Sequence, residues 1–173
     1  MSDGDDVPPS VLGRREYWEG VYATERRNFE SFGDEGEVWF GASVARSELR
    51  LIDELCADRV NDEILDIGTG NGAFLVACAE SLGCRRLCGV DYSAAGIEMA
   101  RQIAESHGLG FIQYMQLDVR SPAPAALRGR FHFVHDKGTF DAVSMSDAAQ
   151  ADKKGYADFV YACMRPDAHF LIT

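Results

Sequence analysis

The chain has 173 residues, 46% of them hydrophobic and 26% charged, and its formal net charge at pH 7 is −11. This length and composition are typical of one globular domain with a sizeable core. The acidic balance argues against nucleic acid as a partner, because non-specific binding to phosphates needs lysine and arginine. No apolar run approaches the roughly 20 residues that span a bilayer, so no membrane segment is predicted.

The N-terminus and the cysteines indicate a reducing compartment. The segment MSDGDDVPPS is acidic and lacks the apolar stretch of a secretory signal, and we expect residues 1–11 to form a disordered leader. The five cysteines are an odd number, which favours free thiols in the cytosol. Cys84 and Cys88 have a loose metal-like spacing, but no second pair completes a tetrahedral set. We therefore predict buried thiols and no metal site. The expected location is the cytoplasm, with the nucleus as an additional compartment.

Helices and strands are predicted in a regular order along the chain. A helix is expected over residues 12–32, followed by an acidic, glycine-rich loop over 33–41 and a second helix over 43–57. From residue 63 onward, short apolar strands alternate with helices. The predicted strands cover residues 63–67, 86–91, 111–117, 131–136 and 169–173. The intervening helices are expected near residues 73–82, 93–107 and 152–164, and the stretch 139–145 is either loop or helix.

This alternation predicts βαβ units and hence a parallel sheet. Right-handed crossovers place the helices on both faces of such a sheet. The predicted fold is therefore α/β, a Rossmann-like doubly wound sheet of at least five strands. Since no linker divides the chain, a single domain over residues 12–173 is expected.

An acid stands at the end of each of the first four predicted strands: Asp66, Asp91, Asp118 and Asp136. In open α/β sheets the ligand binds outside the carboxyl ends of the strands, where the strand order reverses. Carboxylates that face one crevice repel one another. Their grouping predicts a ligand that carries hydrogen-bond donors or positive charge.

The glycine-rich stretch DIGTGNGA, residues 66–73, is typical of a strand, a tight loop and a helix start. Gly68, Gly70 and Ala73 satisfy the dinucleotide fingerprint, so a nicotinamide-dependent reductase is one alternative. Asp66, two residues before the first glycine, argues against it, because a carboxylate there repels a pyrophosphate but suits an ammonium group. The pattern favours S-adenosylmethionine (SAM), which carries an ammonium, a carboxylate, a ribose and an adenine.

The contacts with SAM follow from charge. The loop N–H groups near residues 70–72 are expected to bind the methionine carboxylate, and Asp66 the ammonium, directly or through water. Asp91 would accept from both ribose hydroxyls. Asp118 would accept from the adenine amino group, with Val119 beside the ring; the alternative for Asp118 is a strand-ending turn or a cap. The predicted cofactor-binding residues are Asp66, Gly68, Thr69, Gly70, Asn71, Gly72, Asp91, Tyr92, Asp118, Val119 and Asp136.

Several segments resemble known enzymes. EILDIGTGNGAFL, GVDYS and QLDV resemble the seven-β-strand class of SAM-dependent methyltransferases. The segment over residues 12–41 and HDKGTFDAVS are similar to the lysine methyltransferases that modify translation elongation factor 1-alpha. This resemblance covers roughly residues 12–173. It implies a protein-lysine N-methyltransferase that uses SAM and has elongation factor 1-alpha as its protein partner. We expect the protein to be a monomer. The alternatives are another methyl acceptor and a SAM-binding but inactive shortened isoform.

The acceptor lysine must be neutral to attack the methyl group, and a nearby acid can orient the amine or take its proton. Asp136 is the candidate catalytic residue; the alternative is that it caps the helix beyond Gly138. Aromatic side chains can line a channel for a methylated cation, and Tyr22 is one such candidate. The predicted substrate-binding residues are Trp39, Phe40, Lys137 and Phe140.

The similar lysine methyltransferases continue beyond the fifth strand with two more strands, an antiparallel hairpin. The sequence ends at Thr173. We therefore expect a sheet that lacks the last two strands of that class and has β-strand 169–173 at an open edge.

Overall fold

A computed structural model of the chain describes residues 10–36 and 41–173. The helices in this part of the chain are α1 (Arg15–Phe32), α2 (Gly41–Leu55), α3 (Ala73–Leu82), α4 (Ala94–Ser106), α5 (Thr139–Ser144) and α6 (Ala149–Cys163). The strands are β1 (Glu63–Ile67), β2 (Arg86–Asp91), β3 (Gln113–Gln116), β4 (Phe131–Asp136) and β5 (Met164–Ile172). Short 3₁₀ turns cover Val11–Gly13 and Ala125–Leu127.

The five strands form one parallel sheet in the order β3-β2-β1-β4-β5. β1 lies at the centre, between β2 and β4. The chain order reverses there, so the carboxyl ends of β1 and β4 open a crevice of the kind that holds ligands in α/β sheets. The predicted doubly wound fold is confirmed.

Two apolar cores cover the two faces of the sheet. Ile64 and Phe133 point to one face and pack with residues of α2, α3 and α4. Leu65 and Val134, their neighbours along the strands, point to the other face and pack with residues of α5 and α6. This alternation follows from the two-residue period of a strand. The five cysteines are free and buried, as predicted.

Some predicted boundaries shift. The stretch 139–145 contains helix α5, and β5 begins at Met164 rather than at residue 169. The early part of β5 pairs irregularly with β4, with a register shift between Phe131 and Phe133. This part of β5 contains polar residues and a proline, so an apolar pattern did not predict it as strand. An edge strand tolerates such residues because only part of its length needs apolar side chains.

Some predictions fall outside the described residues. Trp39 and Phe40 lie there, as do residues 1–9, so the disordered leader and the two aromatic substrate contacts stay predictions. The domain boundary at residue 12 also stays a prediction. None of the helices in residues 10–36 and 41–173 combines the length and hydrophobicity needed to cross a lipid bilayer.

Candidate active site

A cavity of about 200 Å³ lies at the carboxyl ends of β1, β2 and β4. The glycine loop over residues 68–71 forms its floor, and Asp66, Asp91 and Tyr92 lie along it. The turn after β4 contributes Lys137 and residues 138–139. The sheet therefore brings residues from distant parts of the sequence to one site.

Two glycines of the loop allow other elements to approach closely. Gly68 and Gly70 both have positive φ, +67° and +54°. A Cβ on Gly68 would overlap Oγ1 of Thr139, a side chain that donates a hydrogen bond to the Ile67 carbonyl at 3.0 Å. A Cβ on Gly70 would lie 2.5 Å from the hydroxyl of Tyr22 in α1. The loop conformation thus depends on glycine at both positions, for backbone and for packing.

The loop amides are partly engaged within the protein. Gly68 and Thr69 donate to the Val90 carbonyl at 2.8 and 3.0 Å, and Gly72 donates to the Thr69 carbonyl at 2.9 Å. Gly70 donates to Oδ2 of Asp91 at 3.1 Å. Of the donors predicted for the methionine carboxylate, those of Gly70 and Gly72 are therefore occupied in this structure.

Asp91 is buried where β2 meets the glycine loop. Its second oxygen accepts from the Ser93 N–H at 2.8 Å, and the Ser93 hydroxyl in turn caps α4 by accepting from the Gly96 N–H at 3.1 Å. Burial raises the pKa of Asp91 to about 6, against the two backbone hydrogen bonds that lower it. A carboxylate has about four lone-pair sites, so two remain for a ligand.

A buried histidine links two carboxylates beside the cavity. Nδ1 of His135 lies 2.7 Å from Oδ1 of Asp66, and Nε2 lies 3.4 Å from Oε1 of Glu48, an ion-pair distance without hydrogen-bond geometry. The three side chains are at most 5% exposed. Phe74 stacks on the imidazole, with the ring centroids 3.6 Å apart. Burial lowers the pKa of His135, but the hydrogen bond to Asp66 and the charges of both carboxylates outweigh this and raise it to about 9.

Helix α1 covers the cavity. Trp18 and Tyr22 lie on the face that lines it, and their rings stack with centroids 6.1 Å apart. The Trp18 indole donates to the Leu12 carbonyl at 2.7 Å. Glu19 and Arg15 attach the helix to the rim through Ser93 Oγ, at 2.9 Å, and the Tyr92 carbonyl, also at 2.9 Å. The predicted aromatic position Tyr22 thus lies at the cavity.

Asp118 does not line the cavity. Both of its oxygens accept from the Arg120 guanidinium, at 2.9 and 2.6 Å, and Arg120 also reaches Asp152 of α6 at 3.1 Å. The hydrogen bond from Arg120 holds the pKa of Asp118 below its usual range. Of the two alternatives for Asp118, the turn that ends the strand is the one observed, while the adenine contact stays a prediction. Val119 does line the cavity, together with Leu117.

Asp136 is fully buried and caps α5. It accepts from the N–H groups of Thr139 and Phe140 at 2.7 and 2.9 Å, and from the hydroxyl of Tyr156. It does not line the cavity. Burial raises the pKa of Asp136, against these three hydrogen bonds. The capping alternative is therefore observed, and a catalytic role for Asp136 stays a prediction without support from its position.

The other two predicted substrate-binding residues lie in different places, one at the cavity and one in the core. Lys137 lines the cavity. Phe140 packs in the core on the α6 side, with its ring 5.2 Å from that of Tyr156. Phe140 stands one residue beyond the helix start, where the side chain turns toward the sheet face rather than the crevice.

Comparison with known proteins gives the family. Residues 58–173 match a family model described as a methyltransferase domain. The chain is 40% identical over 170 residues to EEF1A lysine methyltransferase 2 of Danio rerio, and the alignment covers 98% of this chain and 71% of that protein. It is 35% identical over 183 residues to protein-lysine N-methyltransferase EFM4 of Saccharomyces cerevisiae, covering 100% of this chain and 79% of that one.

The chain belongs to the EEF1A lysine methyltransferase family. The predicted resemblance is thereby confirmed. Among solved structures, the fold is similar to phosphoethanolamine N-methyltransferase 2 of Haemonchus contortus in complex with S-adenosylhomocysteine, with a TM-score of 0.63 at 16% identity. That match covers 95% of this chain and 34% of the other, so the chain spans about a third of that enzyme's length. At this identity the match shows a shared fold.

Two buried residues, His135 at the cavity and Glu48 beside it, were not among the predicted site residues. A signal for His135 was the alignment of strands β1 and β4, because His135 lies opposite Asp66 in their pairing. Glu48 carried no such signal, since its place beside His135 depends on how α2 packs on the sheet.

Proposed function

We propose that this protein transfers a methyl group from SAM to a lysine side chain of translation elongation factor 1-alpha. The observation that carries the proposal is identity of 35–40%, across nearly the whole chain, to enzymes named for that reaction. The D-K-G-T-F-D-A segment, residues 136–142, adds to it, because it forms the turn beside the cavity.

The residues at the cavity fit the cofactor. Asp66 offers a carboxylate for the ammonium, and Asp91 has accepting capacity left for the ribose hydroxyls. Leu117 and Val119 offer an apolar wall for the adenine. A pyrophosphate would instead meet the two buried carboxylates Asp66 and Asp91, which makes a dinucleotide a poor fit. SAM supplies the methyl group on a sulfonium, which makes it an electrophile.

The protein's own contribution is positioning and exclusion of water. Holding the amine and the methyl carbon in line can supply most of the rate acceleration. Trp18 and Tyr22 of α1 cover the cavity, and such an apolar cover disfavours the charged form of an entering lysine. Asp141 lines the same cavity at the first turn of α5 and is exposed, so it can meet the lysine ammonium as it arrives.

Two measurements test this function. Calorimetry with S-adenosylhomocysteine and with NAD is expected to show binding of the first alone; binding of NAD alone would overturn the cofactor. Incubation with radiolabelled SAM and elongation factor 1-alpha should label a lysine, located by mass spectrometry. Binding of S-adenosylhomocysteine without labelling would contradict the proposed substrate but support the proposed cofactor. That result would favour the inactive alternative or another methyl acceptor.

The state and location of the protein belong to the same proposal. We infer a monomer in the cytoplasm, with a nuclear fraction. Light scattering coupled to gel filtration is expected to give a mass near the 19.0 kDa of one chain. Fluorescence microscopy of the tagged protein tests the location, and exclusive localisation to a membrane-bound organelle would contradict it.

A further inference from the structure

The contact between Asp66 and His135 shapes the predicted ammonium site. Carboxylate oxygens only accept hydrogen bonds, so the 2.7 Å contact requires a proton on Nδ1 of the histidine. No hydrogen bond among residues 10–36 and 41–173 uses the second oxygen, Oδ2, of Asp66. One oxygen is thus held by the histidine, and the other can accept from a ligand in the cavity.

Glu48 is the second carboxylate, after Asp66, that favours the charged form of the histidine. Its Oε1 faces Nε2 of His135 from the opposite side to Asp66, in a place that water does not reach. A bare nitrogen lone pair facing a buried carboxylate would be repelled, so the ring keeps a proton on Nε2 as well. Neither oxygen of Glu48 has a hydrogen bond of good geometry among the described residues, and its pKa is lowered, against burial, by His135 first and then by Thr173. His135 is its main compensation.

We propose that His135 is a positioning residue for the cofactor: held as a cation between Asp66 and Glu48, it orients the Asp66 carboxylate and partly neutralises it, so that cofactor affinity depends on the proton that Glu48 keeps on the ring. This inference rests on the proposed function, since it takes the cofactor ammonium as the ligand of Asp66. The cation competes with the ammonium for one carboxylate. Affinity is therefore expected to rise when the ring loses its second proton.

The groups that surround His135, Glu48 and Asp66 do not provide another pH-dependent change in the range in which His135 titrates. Phe74 of α3 and Leu171 of β5, which contact or oppose His135, are apolar. Thr173 and Lys137 act on Glu48, and both help to keep it ionised. Cys78 and Tyr114 face Asp66, but burial raises the pKa of each, so both stay neutral through the range in which His135 titrates.

Asp91 also acts on Asp66 electrostatically. Its pKa of about 6 lies about three units below that of His135, so their titrations are separate. Of these two groups, the histidine is the one that titrates above pH 7.

Replacing Glu48 tests the proposal. Glu48→Gln keeps the shape of the side chain and can donate to a neutral Nε2, so the bond to Asp66 persists while the ring loses its charge. At pH 7.5 we expect calorimetry to show S-adenosylhomocysteine binding about five- to tenfold tighter in Glu48→Gln than in the wild type. The ratio should approach one above about pH 9. Taking the ratio cancels the ionisation of the ligand's own amino group.

Glu54→Gln is the matched control, because Glu54 is exposed on the same helix and its change removes the same charge. It should bind like the wild type. Equal or weaker binding by Glu48→Gln would overturn the proposal. A wild type that does not bind S-adenosylhomocysteine would contradict the proposed function as well, whereas wild-type binding with no effect of Glu48→Gln would contradict the role of His135 alone.

Two further measurements test the proposal if Glu48→Gln fails to fold. The NMR titration of ¹³C-labelled histidine in the wild type should show the midpoint of His135 moving to lower pH when S-adenosylhomocysteine saturates the protein, by reciprocity of linkage. An unchanged midpoint would overturn the proposal. A pair of variants tests whether His135 orients the Asp66 carboxylate. His135→Asn, which can still donate to Asp66, should bind S-adenosylhomocysteine more tightly than His135→Leu; equal affinities would contradict this role.

Discussion

Gly70 donates its backbone N–H to Oδ2 of Asp91, with nitrogen and oxygen 3.1 Å apart. This hydrogen bond links the glycine loop to the end of β2. The other carboxylate oxygen of Asp91, Oδ1, accepts from the N–H of Ser93, which is the N-cap residue of α4. The residue predicted to bind the ribose therefore also shapes the loop on which the cofactor would lie. Any substitution of Asp91 changes both, and its tests must separate the two effects.

We expect Asp91→Asn to weaken binding of S-adenosylhomocysteine at least tenfold, because the amide replaces one acceptor of the ribose hydroxyls by a donor. Calorimetry measures the change, and unchanged affinity would refute the ribose assignment. An analogue without the 2′ and 3′ hydroxyls separates ribose contact from loop shape. It should bind wild type and variant equally well if the carboxylate acts on the hydroxyls, and unequally if the loop is disturbed.

The raised pKa of Asp91 predicts an acid limit for cofactor binding. Its pKa of about 6 lies above the ordinary value of 3.8, so the carboxyl gains a proton as the pH falls through 6. Affinity for S-adenosylhomocysteine should then decrease from pH 7 to pH 5. Because the pKa is raised on folding, this group stabilises the ligand-free protein below the ordinary value, and that contribution is lost as pH rises through 6. Asp91→Asn should remove both pH dependences, measured by calorimetry and thermal unfolding.

Gly70→Ala tests the close approach of Tyr22. The change should lower the free energy of unfolding by about 2–4 kcal/mol, from a strained positive φ together with a clash against the hydroxyl. Gly83→Ala is the matched control, since Gly83 has φ +73° and nothing within 4 Å of the added carbon. It should cost about 1 kcal/mol and leave binding of S-adenosylhomocysteine unchanged. Equal effects of the two changes in urea unfolding would contradict the packing role of Tyr22.

Asp136→Ala and Tyr156→Phe test capping against catalysis. Asp136→Ala leaves three buried donors without an acceptor and should destabilise the protein by about 3 kcal/mol, whereas Tyr156→Phe should cost about 1–2 kcal/mol. Denaturant unfolding measures both. Asp136→Asn keeps one acceptor, and if Asp136 only caps α5, the folded variant should retain kcat within about threefold. A loss of 100-fold or more in a fully folded sample would restore the catalytic assignment.

His107 is predicted to hold the loop after α1 in a pH-dependent manner. Its two ring nitrogens lie 2.7 Å from carboxylate oxygens of Glu35 and Glu80, so both nitrogens carry protons. Glu35 and then Glu80 raise the pKa of His107, and the stability that this bridge contributes is present below the ordinary value of 6.5 and is lost as pH rises through the raised pKa. Hydrogen exchange in residues 33–36, corrected for intrinsic rates, should increase over that range. In Glu80→Gln the increase should begin at lower pH; protection independent of pH would contradict the bridge.

Much of the fold followed from local pattern. The apolar runs at β1, β2 and β4 and the start of α4 were predicted at or near their observed positions. Buried parallel strands are short and continuously apolar, so neighbouring residues alone mark them. Asp66 and Asp91 were predicted at the crevice for a related reason, since topology places the carboxyl ends of adjacent strands at one edge.

The acids at the ends of β3 and β4 show where local pattern fails. Two alternatives were open for Asp118, an adenine contact and a strand-ending turn, and in the structure Arg120, two residues away, holds Asp118 and links it to Asp152 of α6. Asp136 turns to the N–H groups of α5 and to Tyr156. A sequence shows that an acid ends a strand, but which donors come within reach depends on the packing of helices far along the chain.

The sequence by itself determined the parallel α/β sheet, the glycine loop and the family, because strand periodicity, loop glycines and motif order are properties of neighbouring residues. Only the tertiary structure decided that Glu48, Asp66 and His135 form one buried charge cluster. Their contact joins α2, β1 and β4, and the packing of α2 on the sheet brings a carboxylate within 3.4 Å of a histidine 87 positions later. Charges separated so far in sequence come together only where the fold brings their elements into contact, and burial away from water strengthens their interaction.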